Sequence, residues 1–134
     1  MQWLGEHHRM PQTLTYSGSA VASSGASVSF SRSMPLEGVN VISVTIANGV
    51  TTTVSLGVTA AELKLLLIKP SAPGATIKVT VQPSAKVFTL EEPLILGGAG
   101  AASLLGAVTA LDIANNGTVP VSIDILVGRD PTTP

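Results

Sequence analysis

The chain has 134 residues, a formal net charge of −1, no cysteine and only 11% charged residues. This length suits a single domain, and the lack of cysteine excludes disulfides and thiolate metal sites. The few lysines and arginines are scattered, which argues against a nucleic-acid interface. A free soluble domain usually has about 25–35% charged residues on its surface, so this composition indicates a surface that packs against other subunits.

The first segment, residues 1–11, shows no hydrophobic period and is interpreted as an N-terminal arm before one domain over 12–134. It has charges where a signal peptide needs an apolar stretch, so we expect synthesis in a cytoplasm. Tryptophan is common at binding hot spots, and the arm is therefore a candidate for partner binding. The alternative is that Trp3 folds back onto its own domain. The candidate arm contacts are Trp3, Leu4, Arg9 and Met10.

Alternating apolar and polar residues predict short strands in the first half of the domain. We expect two or three strands over 12–32, a loop over 34–38 and strands over 39–46 and 50–58.

An Asn48-Gly49 pair separates the last two strands and is a strong hairpin signal. A two-residue loop would place the apolar side chains of the two strands on opposite faces, which a half-buried sheet does not tolerate. We therefore predict a three-residue loop over 47–49, with Ile46 opposite Val50 and Gly49 in the left-handed conformation.

The middle of the chain combines one capping signal with several strand patterns. Thr59 and Glu62 have the spacing of a capping box and predict one helical turn. The apolar run that follows is short and ends at Pro70, which favours a buried strand. We expect a turn over 71–74, strands over 76–83, 87–90 and 94–96, a loop or short helix over 98–106, and a strand over 107–114.

Residues 94–111 contain no charge and are long enough to cross a membrane. Four glycines and acidic flanks argue against insertion. Small residues here allow close approach of another subunit, and Pro120, which cannot donate to a strand ladder, indicates an edge or a bulge. The candidate oligomer contacts are Gly97, Gly98, Gly100 and Pro120.

The last segment repeats the Asn-Gly pattern, and a three-residue loop over 115–117 places Ile113 opposite Val119. Asn48, Gly49, Asn116 and Gly117 are accordingly expected to be structural turn residues. Ile123, Ile125 and Val127 continue the inner face. About eight strands with regular turn signals predict an all-β, antiparallel sandwich of jelly-roll-like form.

Little in the sequence suggests catalysis or a bound cofactor. The two histidines, His7 and His8, are neighbours in the arm and lack a nearby ligand cluster. Glu91 and Glu92 are adjacent and cannot flank a sugar bond as glycosidase carboxylates do. Asp112 and Asp124 are expected to face solvent. We therefore expect no enzyme activity, no metal and no cofactor.

The cytoplasmic-type start, the few charges, the short arm and the closing run DIANNGTVPVSIDILVGRD resemble small β-sandwich virion proteins of tailed bacteriophages. In size the chain is similar to capsid decoration (cement) proteins. This resemblance implies homotrimers on the outer capsid lattice of the virion, made in the host bacterial cytoplasm, that clamp neighbouring major capsid subunits. The alternatives are another virion component, such as a tail, adaptor or fibre-base protein, and a carbohydrate- or receptor-binding β module.

Overall fold

The computed structural model describes residues 12–71, 76–97 and 100–130. These residues form ten strands, one short helix and a 3-10 turn at Ala60–Glu62. The strands are β1 (Gln12–Val21), β2 (Ser27–Leu36), β3 (Gly38–Ile46), β4 (Thr51–Ser55), β5 (Leu63–Pro70), β6 (Ile77–Pro83), β7 (Val87–Thr89), β8 (Leu94–Gly97), β9 (Val108–Asn115) and β10 (Val121–Arg129), and the helix is α1 (Gly100–Leu105). The predicted all-β class is confirmed.

Eight of these strands form two four-stranded antiparallel sheets. The first sheet has the order β3-β10-β5-β8 and the second has the order β4-β9-β6-β7. Strand β3 pairs with β10, β4 with β9, β5 with β8 and β6 with β7, as in one long antiparallel ribbon folded at its middle. Winding this ribbon adds the pairs β5–β10 and β6–β9. The result is a jelly-roll sandwich.

The main core lies between the two sheets because each strand points alternate side chains inward. The first sheet contributes Ile68, Ile123 and Ile125, and the second contributes Val79 and Ile113, all without exposed surface. The predicted inner faces of β6 and β10 are therefore confirmed. The strand predicted before Pro70 is also confirmed as β5.

The helical turn predicted from Thr59 and Glu62 is present. The backbone N–H of Thr59 donates to the Glu62 carboxylate at 3.2 Å, and one 3-10 turn follows before β5 begins. The turn predicted over 71–74 lies, apart from Ser71, outside the described residues.

The two predicted Asn-Gly hairpins are wrong. Strands β3 and β4 belong to different sheets, as do β9 and β10, so residues 47–50 and 116–120 cross between the sheets. Ile46 pairs with Val121 rather than with Val50, which is 44% exposed. In a sandwich, a tight turn can carry the chain to the opposite sheet as readily as to a neighbouring strand. The apolar faces of both strands point inward in either case.

The two links between the sheets, residues 47–50 and residues 116–120, lie side by side at one end of the sandwich. The backbone N–H of Gly49 donates to the carbonyl of Asn115 at 2.7 Å, and the N–H of Asn115 donates to the carbonyl of Val50 at 2.9 Å. The turn itself is as predicted, because Val50 N–H bonds to the Ala47 carbonyl and Gly49 has φ of +77°. Each link thus satisfies backbone groups of the other.

Three smaller predictions need correction. Residues 12–32 form one long hairpin rather than two or three short strands, and β2 extends to Leu36, so only Glu37 separates it from β3. Proline at position 35 is tolerated because β2 pairs on one side only among the described residues. Pro120 lies before β10, a central strand between β3 and β5, and so marks neither an edge strand nor a bulge within one.

Substitutions at Gly49 test the first link. A Cβ built on this residue meets no atom within 4 Å, so only the left-handed backbone resists a side chain. We expect Gly49→Val to lower the free energy of unfolding by about 2 kcal/mol, because β-branched residues are strained in this region. Gly49→Asn should cost clearly less, because asparagine adopts the left-handed conformation more readily. Urea unfolding measures both, and equal losses would contradict a backbone origin.

Candidate interaction surface

The most unusual feature of the molecule is a long hairpin outside the two sheets. Strands β1 and β2 pair antiparallel over all ten residues of each, from Gln12 opposite Leu36 to Val21 opposite Ser27. A turn closes it, in which Ala22 N–H bonds to the Ala26 carbonyl and Gly25 has φ of +99°. At about 3.3 Å per residue, the hairpin is about 30 Å long.

The hairpin has one apolar and one hydroxyl-rich face, because directly opposite residues share a face. The apolar face runs from the base to the tip and is interrupted by Arg32, which lies opposite Tyr16; at the tip the opposed residues are Gly18 with Phe30 and Ala20 with Val28. Most of the other face consists of serine and threonine. Its hydroxyl residues are Thr13, Thr15, Ser17, Ser19, Ser27, Ser29, Ser31 and Ser33.

The base of the hairpin packs on the outer face of the first sheet. Met34 and Leu36 of β2 and Leu65 of β5 are nearly fully buried and form a second hydrophobic cluster. The partly buried residues around it are Leu14, Tyr16, Val39, Ile95 and Leu126. The base of the hairpin is thus anchored to the sandwich by apolar contacts.

Two glycines show the path of the hairpin across this sheet. A Cβ on Gly128 of β10 would lie 2.6 Å from Leu36 Cδ1 and 3.2 Å from Leu65 Cβ. A Cβ on Gly97 of β8 would collide with the Tyr16 hydroxyl. The hairpin therefore passes from β10 over β5 to the edge strand β8, and its outer half projects beyond that edge.

The projecting half leaves its apolar face uncovered by the described residues. Every residue from 19 to 33 is exposed, including Val28 at 74% and Phe30 at 47%. The Phe30 ring packs against Gly18 and meets Tyr16 edge to face, with 6.1 Å between ring centroids. A two-stranded hairpin alone is marginally stable in water. Such an apolar surface is typical of a site that another molecule covers.

Hydroxyl groups replace ion pairs in the polar contacts across the outer strands. The Thr45 and Ser122 hydroxyls are 3.1 Å apart, and Ser43 donates to Asp124 at 2.8 Å. The carboxylate of Asp112 accepts hydrogen bonds from Thr53 at 2.6 Å and from Gln82 at 2.9 Å. These two donors, Thr53 first, hold the pKa of Asp112 below its usual value. These polar contacts on the outer faces thus involve few charges, as the composition indicates.

The residues singled out by sequence do not form one site. The arm contacts Trp3, Leu4, Arg9 and Met10 lie outside the described residues, as do His7, His8 and Gly98. Gly97 approaches Tyr16 of the same chain, Gly100 begins α1, and Pro120 is exposed. The turn residues Asn48, Gly49, Asn116 and Gly117 do lie together, at the linked end of the sandwich.

Phe30 and Asn115, the two most informative positions, were not among the predicted site residues. Phe30 and its neighbours could have been found from the hydroxyl-apolar alternation on both sides of Gly25, which predicts a single amphipathic hairpin. Asn115 carries no comparable signal, because an Asn-Asn-Gly segment has the composition of any exposed turn.

Within the described part of the chain, no group of three or more histidine, aspartate or glutamate residues could hold a metal ion. No helix formed by these residues is long and apolar enough to cross a membrane.

No protein-family model matches the chain, and a search of curated proteins found no match. The fold and the surface therefore define the class of protein: an antiparallel jelly-roll sandwich with a projecting amphipathic hairpin.

Proposed function

We propose that the chain is a virion structural protein of the capsid decoration (cement) type. In this role it binds the outer capsid lattice through its hairpin and stabilises the head by contacts with neighbouring major capsid subunits. The observation that carries this proposal is the uncovered apolar face at the hairpin tip, around Phe30 and Val28. The jelly roll, a fold used by viral capsid domains among others, and the resemblance to phage virion proteins support it.

The physical basis is the repetition of a modest contact. A standard protein interface buries about 1,600 Å², and a surface with few charges can be buried without leaving unpaired ions. Phe30 supplies the largest side chain at the tip and is the expected anchor, since aromatic residues are enriched in interfaces. The arm residue Trp3 is a second proposed anchor. Repeating both contacts around a shell resists outward pressure through avidity.

The proposal includes self-association, and the resemblance implies a homotrimer. The mass of the purified protein, as a multiple of the 13.5 kDa chain, measures the number of copies directly. The proposed function requires no cofactor and no catalytic residue.

Binding to capsids assembled without the protein tests the hairpin directly. Full burial of a phenylalanine side chain is worth about 1.5–3 kcal/mol, so Phe30→Ser should weaken capsid binding about tenfold or more. Leu104→Ser is the matched control, because Leu104 is an exposed apolar residue, 64% accessible, on α1 and not part of the hairpin. Circular dichroism should show both variants folded, and occupancy is read from protein that sediments with the particles.

The outcomes separate the proposal from its alternatives. Loss of occupancy with Phe30→Ser but not with Leu104→Ser supports it. Absence of binding by the wild-type protein overturns it. Labelled protein on tails rather than heads in electron micrographs overturns it in favour of a tail, adaptor or fibre-base protein. Binding to a glycan array without capsid binding overturns it in favour of a carbohydrate-binding module.

A further inference from the structure

The two sides of the sandwich differ in how their edge strands are protected. An edge strand presents unpaired backbone N–H and C=O groups, and proteins protect such edges by short length, charge, proline or a covering segment. On one side, β7 has three residues and follows Lys86. On the same side, β8 has four residues, follows Glu91, Glu92 and Pro93, and is crossed by the hairpin.

The opposite side, formed by β3 and β4, has less protection among the described residues: Glu37 precedes β3 and β4 has five residues, but neither strand contains a charge or a proline or is crossed by the hairpin. Strand β3 is nine residues long and pairs only with β10. The 24 residues from Gly38 to Ala61, which include β3, β4 and the link between them, contain no charged residue and no proline. Both edge strands on this side therefore expose neutral backbone that another strand can join.

Side chains on β3 also indicate that something covers this edge. Ile42 and Val44 point toward the main core, yet they are only half-buried because β3 is the last strand of the first sheet. Val41 points outward and is 65% exposed. A strand placed beside β3 would cover all three side chains and satisfy the open backbone groups.

We propose that this strand is the β3 of a second copy of the chain, paired antiparallel across a twofold axis. The absence of charge favours a copy over a different partner, because an edge that pairs with itself would place any charge close to its own equivalent. Full overlap of the two strands pairs Gly38 with Ile46 and Ile42 with its own equivalent. This register keeps the inward-facing residues of both copies on one side of the joined sheet.

The same axis accounts for the neutral character of β4. A twofold axis normal to the first sheet places both second sheets on the same side of the joined sheet, with β4 facing its equivalent. Pairing at β3 therefore brings two neutral edges of each copy to the interface. This contact uses the side of the sandwich opposite the projecting hairpin, so it leaves capsid binding through Phe30 unaffected. It makes the oligomer a twofold pair in place of the homotrimer that the resemblance implies.

Val41→Lys tests the pairing in the full-length protein. In the proposed register, Val41 lies opposite Ser43 of the second copy, so the two Val41 positions are diagonal neighbours across the axis. We expect the wild-type protein to have twice the 13.5 kDa mass of the chain by light scattering over a range of concentrations. Val41→Lys should weaken this pair about tenfold or more. Val87→Lys, at a 56% exposed position on the protected strand β7, should leave it unchanged.

A charge-reversal experiment gives the proposal a specific signature. Val41→Glu alone should weaken the pair in the same way, whereas a mixture of V41K and V41E should recover the wild-type pairing, because opposite charges then lie near each other across the axis. Unchanged melting temperatures would show that both variants stay folded.

Several results would overturn the pairing without touching the proposed capsid binding through Phe30. These are a monomeric wild-type protein, a mass of three chains, a V41K variant that still pairs, or no recovery on mixing. A wild-type monomer that pairs only after removal of residues 1–11 also overturns it, because the arm would then be what covers β3. Capsid binding through Phe30 is measured separately and can succeed or fail in each case.

Discussion

Replacing Asn115 with alanine should lower the free energy of unfolding by about 3 kcal/mol. Asn115 is 1% exposed, and its side chain connects both links between the sheets. Its amide nitrogen donates to the carbonyl of Ile46 at 3.0 Å and to that of Val119 at 2.8 Å. Its amide oxygen accepts the N–H of Gly117 at 3.0 Å. Alanine removes the partner of three backbone groups, and the Ile46 carbonyl among them is buried and therefore costly to leave unsatisfied.

Asn116→Ala is the matched control, since Asn116 is the exposed next residue of the same type. Its backbone N–H bond to the Thr76 carbonyl, at 2.8 Å, does not depend on the side chain. We expect a change of less than about 0.5 kcal/mol, which is usual for surface positions. Asn115→Asp should destabilise at least as much as Asn115→Ala, because a buried carboxylate would face two carbonyl oxygens. Urea unfolding of the three variants measures these effects, and similar stability of N115A and N116A would contradict the role of Asn115.

The strands of the sandwich could largely be predicted from sequence because alternation of side chains is a local property. Ile77, Val79 and Val81 alternate with polar residues, and β6 follows directly from that pattern. The capping signal at Thr59 is local in the same way. Each of these elements is specified by residues that contact one another within a few positions of the chain.

Strand partners could not be predicted, because they depend on residues far apart in sequence. The Asn48-Gly49 turn reverses the chain and places Ile46 and Val54 inward, whether β4 joins the same sheet or the opposite one. What decides between these arrangements is the second link, whose Asn115 backbone bonds to Gly49 and Val50. The buried role of Asn115 and the uncovered tip at Phe30 both arise from this long-range arrangement.

The position of the hairpin depends on a second long-range contact, between Gly128 and the hairpin base. We expect Gly128→Val to lower the free energy of unfolding by about 3 kcal/mol, at the upper end of the cost of overpacking a core. Even one added carbon would lie 2.6 Å from the buried Leu36 and 3.2 Å from the Cβ of Leu65, which cannot move without its backbone. The new side chain therefore has to push β2 away from β10.

Gly97→Ala is the control at the other end of the crossing. There the added carbon meets the hydroxyl of Tyr16, the end of a flexible and half-buried side chain that can turn aside. Gly97→Ala should lower the free energy of unfolding less than Gly128→Val does, by a difference of about 1 kcal/mol or more.

Limited trypsin digestion distinguishes loss of hairpin docking from general unfolding. Arg32 is the only lysine or arginine between residues 12 and 36, so cleavage there reports on the hairpin alone. Because docking of the base holds β2 against the first sheet, Gly128→Val should speed cleavage after Arg32 while Lys64 of β5 and Lys78 of β6 stay protected. Unchanged cleavage at Arg32 would show that the hairpin does not need its contact with β10. Faster cleavage at Arg32 together with weaker capsid binding would show that the sandwich holds the hairpin in the position from which Phe30 reaches its partner.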